Sequence, residues 1–209
     1  MSPRNELPDY SAGPDGLQRC WWCGDDEQYI AYHDKEWGKP VADDQQLYEK
    51  MCLEGFQAGL SWITILRKRA AFRSAFGDFE MKRVAKFSSA KVEKLMLDAK
   101  IVRHRGKIES AVNNAQRAIE LRDEFGSLAR FFWQFEPAKR QPLKHRSEMK
   151  AYRPESMALS KELKKRGWSF VGPTTCYSLM QAMGMVNDHL RGCHQWKVID
   201  QLRAEFTRP

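Results

Sequence analysis

The sequence predicts an all-α fold. Three observations carry this. Apolar residues recur at helical spacing along most of the chain, no segment alternates apolar and polar residues over the length of a strand, and Asp or Ser residues able to cap a helix stand just before the main apolar stripes.

The elements follow in order. Residues 1–18 contain no hydrophobic segment and read as a flexible extension rather than a signal peptide. Asp25 and Asp26 can cap a helix carrying Tyr29, Tyr32, His33 and Trp37, and Asp43 one carrying Leu47, Tyr48, Met51, Cys52 and Gly55. Ser61 opens a helix from Trp62 to about Phe76. Ser88 and Ser89 precede Val92, Leu95 and Met96, and Gly106 precedes Ile108, Ala111, Val112, Ala115, Ala118 and Ile119, each set a single buried face. Residues 136–154 turn to Pro, Lys, Arg and Ser and read as an exposed connector. A helix then runs to Arg166, a tight turn follows, and Pro173 opens the next helix, where its missing N–H and fixed φ suit the first turn. A basic segment, 195–209, ends the chain, helical from Gln195 to Phe206.

With 209 residues, 42% of them hydrophobic, the chain can bury a core as one unit or as two small lobes. Its mean hydropathy is -0.65, and its most apolar stretch, from Gly59 to Leu66, is far short of the roughly 20 residues of a membrane span. A cytoplasmic protein without membrane partners is expected. The net charge of +8, from 35 Lys and Arg against 27 Asp and Glu, favours polyanions and permits DNA binding. Five cysteines, an odd number, argue against a disulfide framework and for metal ligands or core thiols.

Three constellations carry chemistry. In the first, Lys164, Lys165 and Arg166 end one helix and Gly172, Pro173 and Thr174 start another. Backbone N–H groups at such a helix start suit a phosphate oxygen, and a basic flank adds attraction. The competing reading is an ordinary helix pair with a solvated basic end. In the second, Cys20 with His33, and His189 with Cys193 one helical turn further on, make a closed tetrahedral set for a single structural zinc. Cys23 and His194 compete as ligands. In the third, Trp21, Trp22, Tyr29, Tyr32 and Trp62 cluster near Glu54, which lies only about 20° around its helix from Leu47, at the edge of an apolar stripe. Rings beside a carboxylate can hold a flipped cationic base. The competing reading is a rim Glu paired with a nearby Lys.

Five stretches then narrow the choice: Tyr29-Ile-Ala-Tyr-His-Asp-Lys-Glu-Trp-Gly38, Cys52-Leu-Glu-Gly-Phe-Gln-Ala-Gly-Leu-Ser-Trp62, Arg103-His-Arg-Gly-Lys107, Gly172-Pro-Thr-Thr-Cys-Tyr-Ser-Leu-Met-Gln181 and Val186-Asn-Asp-His189. From about Arg19 to Cys193 the chain closely resembles the DNA-3-methyladenine glycosylase I family of the helix-hairpin-helix glycosylase superfamily.

The resemblance implies a glycosylase domain over 19–194, two helical lobes, and a helix-hairpin-helix at about 155–185. It implies zinc on Cys20, His33, His189 and Cys193, a base pocket of Trp22, Tyr29, Tyr32 and Trp62 around Glu54, and backbone grip at Gly172, Thr174, Lys164 and Lys165. The implied partner is double-stranded DNA carrying alkylated bases, the product free 3-methyladenine, and the protein a monomer. Related glycosylases with lyase activity carry a Lys and an Asp at the positions of Thr174 and Asn187, so the implied enzyme is monofunctional. The rival readings are a non-catalytic zinc-stabilised DNA-binding module and a broader alkylpurine glycosylase.

Overall fold

The computed structural model describes residues 8–138 and 141–209. The part of the expected extension over 1–7 lies outside the described residues. The described chain is mostly helical, as expected, and divides into two compact units. One comprises the described residues up to Pro40, Pro137–Lys150 and Gln181–Phe206; the other comprises Val41–Glu136, Ala151–Met180 and Thr207–Pro209.

In the first unit the chain is not a loose extension from Tyr10 onward. Strand β1 (Tyr10–Ala12) pairs antiparallel with β2 (Gln18–Cys20) in the register Tyr10 to Cys20, Ser11 to Arg19 and Ala12 to Gln18. Strands of three residues are too short to leave an alternating pattern in the sequence. Helix α1 (Glu27–Lys35) starts as expected, the Asp26 carboxylate accepting from Tyr29 N–H at 2.9 Å. It ends before Trp37, whose N–H bonds back to Tyr32 O at 3.0 Å while Gly38 turns the chain at φ 86°.

The second unit is built around one long helix. Helix α2 (Asp44–Gln57) is capped by Asp43, and α3 (Trp62–Ala75) follows Ser61, whose hydroxyl bonds Thr64 rather than the backbone. The short α4 (Met81–Val84) leads to α5 (Ser89–Leu97), capped by Ser88. Helix α6 (Arg105–Phe125) begins a residue before Gly106 because the His104 ring accepts from Lys107 N–H, and it ends at Gly126 in the left-handed region, φ 84°. Its stripe of Ile108, Ala111, Ala115, Ala118 and Leu121 is at most 2% exposed. Around it pack Phe56, Phe72, Phe76 and Phe79 from the preceding elements, and Phe131 and Phe132 from α7 (Leu128–Trp133).

The connector differs from expectation too. Its described residues before Pro154 form no α-helix, but Leu143 is buried, Arg191 N–H donates to Leu143 O, and the Asp9 carboxylate accepts from Arg146 N–H at 2.7 Å. Helix α8 (Pro154–Lys165) then forms the hairpin pair with α9 (Pro173–Ala182), and α10 (Gln195–Glu205) closes the first unit. No helix of the described residues is long and apolar enough to cross a membrane.

Three polar side chains on α6 hold the hairpin. Asn113 Nδ2 donates to Gly167 O at 2.8 Å, Ser110 Oγ and Asn114 Nδ2 both donate to Ser169 O, and Ser169 N–H donates to Asn114 Oδ1 at 3.0 Å. Asn114 thus satisfies both backbone groups of one residue in a buried place. Its replacement in Asn114→Ala leaves them without this partner and is expected to cost about 1–3 kcal/mol. The measurement is denaturant unfolding: the midpoint should fall with an unchanged slope, and a wild-type midpoint would show that the clamp adds nothing.

Candidate functional site

The first unit gathers the expected ligands. The ligand atoms of Cys20, His33, His189 and Cys193 all lie within 4.8 Å of one another, and all four residues are buried. Cys193 Sγ is 3.5 Å from His33 Nε2 and 3.6 Å from His189 Nδ1, and Cys20 Sγ is 3.8 Å from His189 Nδ1. A tetrahedral zinc with Zn–S of about 2.3 Å and Zn–N of about 2.05 Å sets S···N edges of about 3.5 Å. The donor set and its dimensions therefore fit a metal ion.

The surrounding groups select the tautomers a metal needs. His33 Nδ1 faces Asp34 Oδ1 at 2.7 Å, which leaves the Nε2 lone pair turned to Cys193. His189 Nε2 faces Trp37 O at 3.1 Å, which leaves Nδ1 for the cluster. Burial opposes the charge on Asp34, but hydrogen bonds from Arg19, His33 and His194 outweigh it and lower its pKa to about 2. Arg19, only 2% exposed, ties Asp34 to Asp15 of the β-hairpin. Within the cluster, the hydrogen bond from Cys20 holds Cys193 far below the usual thiol range, with help from the two imidazoles. Cys20 is pushed up by its bond to Cys193 and by burial. Burial holds His189 below its usual value, as a neutral ligand requires.

The sequence competitors lie elsewhere. Cys23 Sγ turns to Cys20 O and Ser11 Oγ, and burial raises its pKa. His194 bonds Asp34 at 3.0 Å and so orients a partner of His33.

Three rings expected at the site also gather in this unit. Trp22 lies 5.0 Å from Tyr29 and 6.3 Å from Tyr32 between centroids, and 4.9 Å edge-on from Trp37, which the sequence reading placed on a helix and gave no role. Trp22 also meets His33 at 5.2 Å, and Trp37 meets His189 at 4.6 Å, so the ring cluster is continuous with the ligand cluster.

The second unit holds the carboxylate. Glu54 is 6% exposed on α2 and its Oε1 pairs with Lys50 Nζ at 2.8 Å, one turn back. The same Nζ stands 3.3 Å from the centroid of the Trp62 ring. The Lys partner foreseen in the competing reading is real, but the pair is buried rather than at a solvated rim. The sequence reading did not identify this Lys as Lys50, although a Lys four residues before a Glu at the edge of an apolar stripe is a legible signal. Lys107, from the Arg103–Lys107 stretch, points inward: its Nζ donates to Phe56 O and Ala58 O at the end of α2.

The hairpin is in the same unit. Lys164, Lys165 and Thr174 are exposed, whereas Arg166 is neutralised by a two-bond pair with Glu124 and by Glu162. The first N–H of α9 to bond back is that of Cys176, to Gly172 O, so the earlier N–H groups stand at the open end of the helix. A Cβ on Gly172 would meet nothing within 4 Å, and its φ is not in the left-handed region. Neither crowding nor conformation inside this chain requires glycine there.

Comparison with known proteins adds to this geometry. A family model described as methyladenine glycosylase matches residues 22–196. The chain is 47% identical over 179 residues to DNA-3-methyladenine glycosylase 1 of Escherichia coli (strain K12), covering 85% of this chain and 96% of that protein. The DNA-3-methyladenine glycosylase of Haemophilus influenzae is 46% identical over 84% of this chain and 96% of its own length. A crystal structure of 3-methyladenine DNA glycosylase I superposes with a TM-score of 0.81 at 46% identity, over 85% of this chain and 98% of the other. A variant of such an enzyme, in complex with 3-methyladenine, gives a TM-score of 0.81 at 36% identity, over 84% and 96%. On the fold, the ligand cluster, the buried carboxylate and these likenesses together, the chain belongs to the methyladenine glycosylase family.

Proposed function

We propose that this protein is a monofunctional glycosylase that hydrolyses the N-glycosidic bond of 3-methyladenine in double-stranded DNA, acting as a cytoplasmic monomer. The observation that carries the mechanism is the buried Glu54, held by Lys50 beside Trp62. Methylation at N3 makes the purine cationic in the nucleotide, so the bond is already weak and the leaving base needs little protonation. The protein must select and orient the base. A carboxylate offers about four acceptor positions, and Lys50 uses one, at Oε1. On this reading Glu54 accepts from the adenine edge, and the rings of Trp22, Tyr29, Tyr32 and Trp62 supply stacking and cation–π attraction. Water attacks the sugar carbon as the bond breaks.

Two positions support the monofunctional reading. Thr174 offers no amine for a Schiff base. Asn187 spends its side chain on structure, donating to Trp196 O and accepting from His189 N–H. Incubation with methylated duplex DNA and chromatography of the released bases tests the whole reading. Release of 3-methyladenine alone is expected; release of 7-methylguanine as well would establish the broader enzyme, and no release the binding module. In the same assay Glu54→Gln should be slower by roughly tenfold to a hundredfold, the equivalent of losing about 1.5–3 kcal/mol of a buried bond to a charged group. A wild-type rate would remove Glu54 from the reaction.

The hairpin's proposed part is to grip the DNA backbone without reading sequence. Lys164 and Lys165 supply attraction, and the N–H groups around Gly172 and Thr174 receive phosphate oxygens. The open space over Gly172 supports a close approach from outside. Gly172→Ala should therefore keep the wild-type melting temperature while its duplex affinity drops severalfold; unchanged affinity would take the hairpin glycine out of the contact.

The proposed metal is one structural zinc held by Cys20, His33, His189 and Cys193. It would join the two ends of the first unit, with no share in the hydrolysis. Metal analysis should find about one zinc per chain, retained in Cys23→Ala and lost in Cys193→Ala. Full zinc content in the Cys193 variant would exclude that thiol as a ligand.

A further inference from the structure

Phe170, in the hairpin between α8 and α9, has φ 54°. That left-handed conformation costs a residue with a Cβ about 1–2 kcal/mol, and glycine almost nothing. The neighbours leave no choice. Ser169 is clamped on both backbone groups by Asn114, and Val171 O accepts from Ser160 Oγ at 2.6 Å. Burial does not explain the phenyl ring either, since Phe170 remains 38% exposed. A side chain kept at a place where glycine would relax the backbone has its reason in what it touches.

Its seat is made of two helical glycines and a ring. A Cβ added to Gly55 would lie 3.4 Å from Phe170 Cβ and 3.6 Å from Phe170 O, and one added to Gly106 3.7 Å from Phe170 Cε2. The His104 ring meets the phenyl edge-on at 6.1 Å. Neither Gly55 nor Gly106 is in the left-handed region, so each sits in a helix at a cost of about 1 kcal/mol relative to alanine. A Cβ at Gly55 would already be in van der Waals contact with Phe170, so any side chain larger than a methyl there has to press on the Phe170 seat. Gly55 directly follows Glu54 on α2.

We propose that Phe170 is a positioning residue, setting the distance between the hairpin that holds the DNA backbone and the helix that carries Glu54. The inference rests on the reading of Glu54 as the group that reads the base. A displacement of about 1 Å between the two costs up to roughly a hundredfold in rate without removing any contact to substrate.

The test is a double-mutant cycle of Phe170→Gly and Gly55→Val, with Phe170→Leu and Glu54→Gln alongside. Three quantities are read: single-turnover release of 3-methyladenine, affinity for undamaged duplex, and thermal unfolding. Phe170→Gly should keep duplex affinity within about twofold while excision slows by roughly tenfold or more. Phe170→Leu, which keeps a bulky side chain on the seat, should recover most of the rate. Gly55→Val, whose methyls extend beyond a Cβ already touching Phe170, should slow excision as well, and the double variant should be no slower than the slower single one, because both disturb one contact.

A wild-type rate in Phe170→Gly, a rate loss that only follows lost duplex affinity, or losses that multiply in the double variant would each overturn the inference. Should Phe170→Gly unfold, Gly55→Val decides on the same terms. A wild-type rate in Glu54→Gln would overturn the base-reading role itself; an impaired Glu54→Gln beside an unimpaired Phe170→Gly removes only the role of Phe170.

Discussion

The first unit depends on four buried groups that must meet. Two thiols and two imidazoles within hydrogen-bonding reach of one another are costly to keep in a protein interior unless a proton or a cation is shared among them. They come from chain positions as far apart as Cys20 and Cys193, so their meeting closes most of the chain into one loop. The neighbouring structure serves that meeting. Arg19 carries charge from Asp15 to Asp34, Asp34 fixes His33, and Trp37 O fixes His189. Trp22, two residues after Cys20, is then placed against Tyr29 and Tyr32 by the same anchor. On this arrangement an ion would act on the rings through position rather than through chemistry.

The second unit solves a different problem, how to hold a helix end and a hairpin rigid with polar groups. Buried on α6, Lys107, Ser110 and Asn114 all point at backbone atoms of other elements. Lys107 places a cation on the last carbonyls of α2, where the helix dipole is negative, and burial lowers its pKa. Ser110 and Asn114 fix the hairpin. One helix thus supports both the end of α2, close to Glu54, and the turn proposed to touch DNA.

The helices with long apolar stripes were legible because burial of one face repeats at helical spacing; α2, α3 and α6 lie where the stripes and caps put them. The four ligands were legible as residue types, and their separation from Cys23 and His194 was not, since that depends on which way each side chain leaves the backbone. The hairpin from Tyr10 to Cys20 was missed because three-residue strands have no period, and α4 and α7 because they are too short for a stripe. The inward turn of Lys107, Ser110 and Asn114 was not legible, because their partners are carbonyls about fifty residues or more away, which no local pattern records. The strain at Phe170 is likewise invisible until the turn around it is known.

The Lys50–Glu54 pair connects this structure to the proposed chemistry. A carboxylate buried alone is strongly disfavoured in its charged form, and a solvated one would lose most of its hold on a bound base to water. Lys50 at 2.8 Å lets the charged acceptor stay in the interior before any base arrives, and Trp62 shares the ammonium at 3.3 Å. An acceptor fixed in advance needs no reorganisation when the base enters. Selectivity then has two sources of unequal size. Methylation has already weakened one bond among many, and that difference in the substrate sets the scale; the fixed acceptor adds a smaller preference for a base presenting donors in a cationic ring. An enzyme working this way requires neither a nucleophilic amine nor a strong general acid. It requires a rigid acceptor at a fixed distance from the DNA backbone, the role proposed for the α6 clamp and Phe170.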